Sequence, residues 1–238
     1  GRVLPEQEKG ADGPHAFDAV NARARPWLGV DGLTVEYGKT RALNRVGFEI
    51  DSNSIVAVFG ENGAGKSTLL WAVAGLLLPS SGRIDYPSRM PLRIGFLAHQ
   101  SFLYEDLTVT ENIVLSARLN GVPEPLAQAR EWLDRLGLAR ERDRPVSELS
   151  RGQQQRASFA RAVFPAPHIL LLDEPFSNLD ASGVDVVCQI IASMRSPETL
   201  ILMASHDRTC AGRLATHVLE IDAGCARSLR PVNGPVEE

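Results

Sequence analysis

The sequence predicts an α/β fold in which buried strands of a parallel sheet alternate with helices. The main observation is a set of three short, almost wholly apolar runs, Ile55–Phe59, Ile169–Leu172 and Leu200–Ala204. Such runs are typical of strands that are buried on both faces of a parallel sheet. Segments with helical periodicity lie between them, and strands that alternate with helices pack through right-handed crossovers.

Length and composition exclude several classes of function. The chain has 238 residues, of which 44% are hydrophobic and 23% charged, and its formal net charge is -4. This length predicts one domain, or one domain with an attached subdomain. No apolar run approaches the ~20 residues of a membrane span, so we expect neither a channel nor a signal peptide. The lack of a basic excess argues against a general nucleic-acid binder.

The two ends of the chain differ from its centre. Residues 1–26 mix charge, Pro, Gly and Ala without a period, and we expect a disordered leader there. Strand-like segments follow at Leu33–Tyr37 and Val46–Ile50, ahead of the first apolar run. We expect the ordered domain to span residues 27–224 and a flexible tail to cover residues 225–238.

Five segments have the periodicity of amphipathic helices. They are Lys66–Ala74, Val109–Leu119, Pro125–Leu136, Gln153–Val163 and Gly183–Met194. From about residue 101 to 163, helices follow one another with no strand between them. Thr108 and Glu111 form a capping box at the start of this stretch, and Gly137 ends its second helix. We interpret the stretch as a helical subdomain inserted into the α/β core.

A phosphate-binding loop follows the first apolar run. Residues 60–68 match GxxxxGK[ST] in the context of strand, loop and helix. Glycines let backbone N–H groups surround phosphate oxygens, Lys66 would contact the β- and γ-phosphates, and Ser67 would ligate Mg²⁺. A plain glycine-rich turn does not explain why one of only three lysines lies here. The nucleotide-binding residues predicted in this loop are Gly60, Asn62, Gly63, Ala64, Gly65, Lys66, Ser67 and Thr68.

Two acidic residues, Asp173 and Glu174, come directly after the second apolar run. They are at the carboxyl end of a predicted strand, where ligand crevices form in open α/β sheets. Asp173 would hold Mg²⁺, directly or through water, and Glu174 would orient and deprotonate an attacking water. The alternative is a pair of solvated acids in a turn, which a neighbouring phosphate loop disfavours.

Four further motifs make residues 27–224 resemble the ATP-binding subunits of ABC transporters. They are Gln100 at the end of a strand-like segment from Ile94, the segment Leu149–Arg156 (LSRGQQQR), Ser177–Asp180 after the acidic pair, and Ser205–Asp207 after the third apolar run. The resemblance implies a RecA-like P-loop NTPase core with an N-terminal antiparallel β subdomain and the inserted helical subdomain. It also implies an ATPase that uses ATP and Mg²⁺.

The resemblance assigns roles to residues around the nucleotide. Tyr37 would stack on adenine, although an isolated tyrosine is more often ordinary packing. Gln100 would contact Mg²⁺ and the attacking water and would link the site to the helical subdomain. His206 would contact the γ-phosphate.

The resemblance implies that a second set of residues acts across a dimer interface. Ser150, Gly152 and Gln153 would face the γ-phosphate bound by the opposite subunit, and a helix N-terminus is favourable for such an anion. Ser150 and Gln153 also fit an ordinary capping box. Asp180 would be the D-loop acid at the same interface. Arg151 replaces the family's usual glycine, and would add positive charge near the phosphate or face solvent.

The implied partners are a second copy of the chain and integral membrane subunits that dock near Gln100, at the cytoplasmic face of the inner membrane. No nucleic-acid partner is expected. The stretch Ile94–Ile113 looks most like the ATPase subunit of the haem exporter used in cytochrome c maturation. The alternatives are the ATPase of another small exporter, for drugs or polysaccharides, and a soluble ABC-type assembly ATPase. A regulator without turnover is disfavoured by the intact Glu174 and His206.

Overall fold

The computed structural model describes residues 26–87 and 91–232. Its strands are β1 (Leu28–Tyr37), β2 (Thr40–Ile50), β3 (Ser54–Phe59), β4 (Ser81–Asp85), β5 (Ile94–Leu97), β6 (Ile169–Asp173), β7 (Leu200–Ala204), β8 (His217–Asp222) and β9 (Cys225–Pro231). Its helices are α1 (Lys66–Val73), α2 (Val109–Leu119), α3 (Leu126–Arg135), α4 (Arg151–Val163), α5 (Ala181–Ser193) and α6 (Arg208–Leu214).

The larger sheet has the strand order β5-β6-β7-β3-β8-β9, and its first five strands are parallel. The three apolar runs form its centre, where β7 pairs with both β3 and β6. Alternate residues of β3 enter different hydrophobic clusters, Ile55 and Ala57 on one face and Val56 and Val58 on the other. The predicted α/β fold is therefore confirmed, because these strands are buried on both faces.

The smaller sheet, β2-β1-β4, is antiparallel, which confirms the predicted N-terminal β subdomain. Both of its predicted strands are longer than expected and meet in a hairpin, in which Tyr37 pairs with Thr40. Gly38 makes this turn with a φ of 61°, a conformation that favours glycine. The apolar side chains of this sheet pack with those of α1 against one face of the larger sheet.

Helices α2, α3 and α4 follow one another in a stretch that the structure describes throughout, with no strand between them. The predicted capping box is confirmed: the Thr108 hydroxyl accepts the Glu111 backbone N–H at 3.2 Å, and the Glu111 carboxylate accepts the Thr108 N–H at 2.8 Å. Gly137 has a φ of 67° just after α3. Helix α4 begins at Arg151, two residues earlier than predicted, because Ser150 is its cap.

The C-terminal residues differ from the predicted flexible tail. Strand β9 pairs antiparallel with β8, with Leu219 opposite Leu229, so the flexible tail predicted for residues 225–238 is wrong over β9. Leu229 packs against the core, and Gly224 accepts a hydrogen bond from the Asn44 backbone, so this hairpin is fixed to β2. The predicted leader lies outside the described residues apart from Pro26, as do residues 233–238.

Within residues 26–87 and 91–232, the helices are too short or too polar to cross a lipid bilayer.

Candidate nucleotide-binding site

Three loops meet at the carboxyl edge of the larger sheet. The phosphate loop follows β3, the acidic pair ends β6, and His206 follows β7. Because β7 lies between β3 and β6, these three loops are neighbours. They enclose a cleft of about 400 Å³. Its lining residues are Ala42, Asn62, Gly63, Gly65, Lys66, Ser67, Thr68, His99, Asp173, Glu174, Ser177 and His206.

The phosphate loop wraps so tightly that two of its glycines have no substitute. A Cβ on Gly65, whose φ is 106°, would lie 2.6 Å from the Ala42 carbonyl oxygen, and one on Gly60 would collide with the Ile221 carbonyl. Lys66 is 8% exposed and donates hydrogen bonds to the carbonyls of Gly60 at 2.8 Å and Glu61 at 3.0 Å. Its ammonium therefore lies over the loop, where phosphate oxygens would compete with these carbonyls.

Ser67 and Asp173 fit a divalent cation. The Ser67 hydroxyl donates to Asp173 Oδ1 at 3.1 Å, and Asp173 Oδ2 is buried without a hydrogen-bond partner in the described part of the chain. Burial raises the pKa of Asp173, and the Ser67 hydrogen bond opposes that rise. Hydroxyl and carboxylate oxygens are the ligands that Mg²⁺ takes together with phosphates and water. The orphaned Asp173 oxygen and the Ser67 hydroxyl therefore fit a Mg²⁺ ion.

Glu174 and His206 form a bonded pair beside the phosphate loop. Glu174 Oε2 lies 2.8 Å from His206 Nδ1, and Glu174 Oε1 accepts the His206 backbone N–H at 3.1 Å. The carboxylate is sheltered while the imidazole is exposed, with side-chain exposures of 17% and 72%. Glu174 also has a φ of 53°, and left-handed backbone at a residue other than glycine costs on the order of 1 kcal/mol. Such outliers accompany functional sites.

Gln100 is not where the strand-like pattern places it. Strand β5 ends at Leu97, where its pairing with Leu172 of β6 ends, and Gln100 lies in an exposed bend outside the residues that line the cleft. His99 lines the cleft instead, and its proximity lowers the pKa of Asp173 against the larger effect of burial. Sequence reasoning missed His99, whose one signal was its position next to Gln100.

Tyr37 lies at the last position of β1 and is 54% exposed. It is not among the residues that line the cleft, whereas Ala42, on the other strand of the same hairpin, is. Stacking of Tyr37 on adenine therefore stays a prediction.

The signature residues lie at the start of α4, outside the cleft of their own chain. Ser150 accepts the Gln153 backbone N–H at 3.3 Å, and the Gln153 side chain accepts the Ser150 N–H at 2.9 Å, which is the predicted capping box. Arg151 is exposed in the first turn of the helix and is not among the described residues with positive φ, so its backbone does not need glycine.

Gly152 does need to be small. A Cβ on Gly152 would lie 2.7 Å from the carbonyl oxygen of Asn178, in the loop after the acidic pair. Asp180 ends this loop as the N-cap of α5, accepting the Gly183 N–H at 2.8 Å and the Ser182 hydroxyl at 3.1 Å. These two hydrogen bonds lower the pKa of Asp180. The signature helix thus packs on the loop that Asp180 closes.

A second cleft, of about 420 Å³, lies between β5 and α2, and Phe102 is among its lining residues. Trp71, Phe96 and Phe102 form a cluster beside it, with edge-to-face contacts of 5.6 and 5.7 Å between Trp71 and the other two rings. Arg161 lies 5.6 Å from the Phe102 ring, and Leu119 at the rim is exposed. We call this cleft the aromatic groove.

Comparisons with known proteins agree on one family. The family model of the ABC transporter matches residues 43–177. An ABC transporter ATP-binding protein of Bacillus subtilis is 32% identical over 186 residues, which cover 75% of this chain and 62% of that protein. A sulfate/thiosulfate import ATP-binding protein of Thermosynechococcus vestitus is 41% identical over 164 residues, with coverages of 63% and 49%. The chain thus spans less than two thirds of both relatives.

Further relatives match over most of their length. A lipoprotein-releasing system ATP-binding protein of Hydrogenovibrio crunogenus is 35% identical over 192 residues, which cover 74% of this chain and 84% of that protein. The solved structure of a dimeric bacterial ABC transporter cassette has a TM-score of 0.79 and 26% identity, with coverages of 87% of this chain and 99% of that chain. This chain therefore belongs to the ABC transporter family.

Proposed function

We propose that this chain hydrolyses ATP within a head-to-tail dimer of itself and so drives a separate integral membrane subunit. One observation carries the proposal: Lys66, the Ser67–Asp173 pair and the Glu174–His206 pair converge on one cleft. ATP hydrolysis requires a cation that contacts the phosphates, oxygen ligands that hold Mg²⁺, and a carboxylate that activates the attacking water.

The residues divide the reaction between them. Phosphate oxygens displace the Gly60 and Glu61 carbonyls from Lys66. Ser67 and Asp173 would hold Mg²⁺, which would neutralise phosphate charge. Glu174 accepts a proton from the attacking water as the oxygen bonds to the γ-phosphorus and the bond to ADP breaks. His206 holds the Glu174 carboxylate and contacts the γ-phosphate. Gln100 and Tyr37 are proposed to contact the water and the adenine.

The signature residues are proposed to complete the site of a second copy. Ser150, Gly152 and Gln153 lie outside their own cleft, and the N–H groups at the start of α4 suit an anion. A phosphate bound by the partner would take over the donors that the capping box now uses. Asp180 would lie at the same interface. The dimer described for a solved relative supports this arrangement.

The aromatic groove is the proposed docking site for the membrane subunit. It lies beside Gln100, its aromatic cluster reaches the surface at Phe102, and Leu119 stands at its rim. Exposed apolar surface of this kind marks contact with another protein. Docking there would hold the chain peripherally at the cytoplasmic face of the inner membrane.

Haem export for cytochrome c biogenesis is the proposed cargo assignment, and it rests on the sequence of Ile94–Ile113 and of the signature. The relatives carry other names, sulfate/thiosulfate import and lipoprotein release among them. The alternatives are another small exporter, of drugs or polysaccharides, and a soluble assembly ATPase.

The cargo is tested in cells that lack their own haem-exporter ATPase. Expression of this chain should restore covalent haem on c-type cytochromes, measured by haem staining of gels, and Lys66→Ala should not. Stable expression without restored staining would remove the haem assignment and leave the other exporters.

The ATPase assignment is tested on the purified chain. Glu174→Gln should lower phosphate release by about 100-fold or more, the usual contribution of a general base, because the amide cannot take a proton. The matched control is Glu49→Gln, an exposed acid on β2, which should leave the rate unchanged. Equal rates for both variants would show that Glu174 is not the base.

A further inference from the structure

Helix α4 contacts the turn of the catalytic acid in its own chain. The side-chain Nε2 of Gln155 donates a hydrogen bond to the backbone carbonyl of Glu174 at 3.2 Å. The same carbonyl accepts the backbone N–H of Ser177 at 3.2 Å, so both of its lone pairs are used. Gln155 is half-buried, and its amide is the one side chain that bonds this turn from the helical segment within the described residues.

The turn that Gln155 contacts, residues 174–178, has a backbone conformation that other parts of the structure must hold in place. Glu174 has a φ of 53° and Asn178 a φ of 60°, so two residues other than glycine are left-handed within five positions. Such a conformation persists only where surrounding structure fixes it. The Glu174 backbone N–H donates to the Ala204 carbonyl at 2.9 Å, which holds one side of the turn to β7. Gln155 holds the other side.

A second contact on the same face of α4 supports this arrangement. Gly152 and Gln155 are three residues apart and therefore face the same way. Gly152 packs on the Asn178 carbonyl so closely that a Cβ would lie 2.7 Å away. At the opposite end of the helix, Arg161 donates to the Phe96 carbonyl of β5 at 2.8 Å, beside the aromatic groove. One rigid helix thus runs from the groove to the turn that carries Glu174.

We propose that Gln155 is a positioning residue that fixes the backbone of Glu174 and so connects the position of α4 to the catalytic carboxylate of the same chain. This inference rests on the proposed ATPase function. It gives the signature helix a role in its own site, besides the role proposed for Ser150 and Gln153 in the site of the partner.

The neighbouring Gln154 provides a matched control. Its side chain donates to the carbonyls of Val146 at 3.2 Å and Leu149 at 3.3 Å, in the turn just before α4. Within the part of the chain that the structure describes, it makes no hydrogen bond with the acidic turn. Methionine has the length of glutamine without its donor, so Gln155→Met and Gln154→Met each remove one amide from the same helix. Gln155→Lys restores a hydrogen-bond donor at position 155.

The experiment measures kcat, KM and urea unfolding of the purified variants. Gln155→Met should lower kcat by roughly three- to tenfold, the range that one neutral hydrogen bond supports, with KM for ATP within about twofold. Gln154→Met should keep the wild-type kcat, and Gln155→Lys should recover part of the loss. In the Glu174→Gln background, Gln155→Met should change residual turnover by less than about twofold, because the two residues act together.

The inference is overturned if Gln155→Met keeps the wild-type kcat, if Gln154→Met loses as much, or if Gln155→Lys is no faster than Gln155→Met. An inactive wild-type chain would instead remove the proposed function, before any variant is compared. Urea midpoints identify a variant whose loss is due to unfolding. If Gln155→Met is unfolded, Gln155→Lys decides alone. A folded lysine variant with a wild-type KM and a kcat within about threefold of the wild type supports the contact, and a slower folded one contradicts it.

Discussion

At the scale of single residues, the Ser67 hydroxyl and the Asp173 carboxylate are the proposed ligands of Mg²⁺. Ser67→Ala removes the hydroxyl that bonds Asp173 Oδ1, so the affinity for ATP with Mg²⁺ should fall by about tenfold, or ~1.4 kcal/mol. Titration with a fluorescent ATP analogue measures this. With EDTA in place of Mg²⁺, the variant should bind as the wild type does, and a tenfold loss under that condition would show a structural role for the hydroxyl.

Gly152→Ala tests the contact between α4 and the Asn178 loop. Helix propensity favours alanine over glycine by about 1 kcal/mol, but the new Cβ would lie 2.7 Å from a backbone carbonyl, and such overpacking costs about 1–3 kcal/mol. The cost of the clash should exceed the gain in helix propensity, so the free energy of unfolding in urea should fall. Arg151→Ala, at the exposed neighbouring position, should change it by less than about 0.5 kcal/mol. A more stable Gly152→Ala would mean that the loop moves freely.

At the scale of elements, strands and helices with a strong local sequence pattern were predicted correctly, and those with a weak pattern were missed. The apolar runs became central strands, and the capping boxes at Thr108 and Ser150 formed as expected. Helix α6 and strands β4, β8 and β9 were not predicted. Helix α6 has seven residues, and four of the seven residues of β9 are exposed, so neither shows a clear apolar period. These elements depend on the neighbours against which they pack.

The N-cap of α6, Asp207, should make the stability of the folded chain depend on pH. Asp207 accepts the Cys210 backbone N–H at 2.9 Å, and this hydrogen bond lowers the pKa of Asp207. A carboxyl with a lowered folded-state pKa contributes stability above its unfolded pKa of about 3.9, and this contribution is lost as the pH falls through the folded value. Asp207→Asn keeps a capping side chain, so stability at pH 7 should change little.

The expected result is a smaller loss of melting temperature between pH 7 and pH 3 in Asp207→Asn than in the wild type. Calorimetry at several pH values measures it. Asp106→Asn, at an exposed position that caps no helix, is the control and should keep the wild-type pH dependence. An unchanged pH dependence in Asp207→Asn would contradict the charged cap.

At the scale of the whole molecule, the fold separates the groups of the cleft from those of the signature helix. The parallel sheet brings phosphate, magnesium and water-activating groups to one edge, and it leaves the signature helix outside that cleft. In the proposed head-to-tail dimer, the signature helix of one copy would complete the cleft of the other. Sequence spacing predicted the two halves. It could not show how α4 bonds back to Glu174, since that contact exists only in the folded chain.

The mass of the Glu174→Gln chain in solution, measured by light scattering with and without ATP, tests the central claim most directly. ATP and Mg²⁺ should convert this variant from monomer to dimer, because binding is kept and hydrolysis is stopped. Lys66→Ala in the same background should remain monomeric with ATP. A Glu174→Gln chain that binds ATP and stays monomeric would contradict the account of a site shared between two copies.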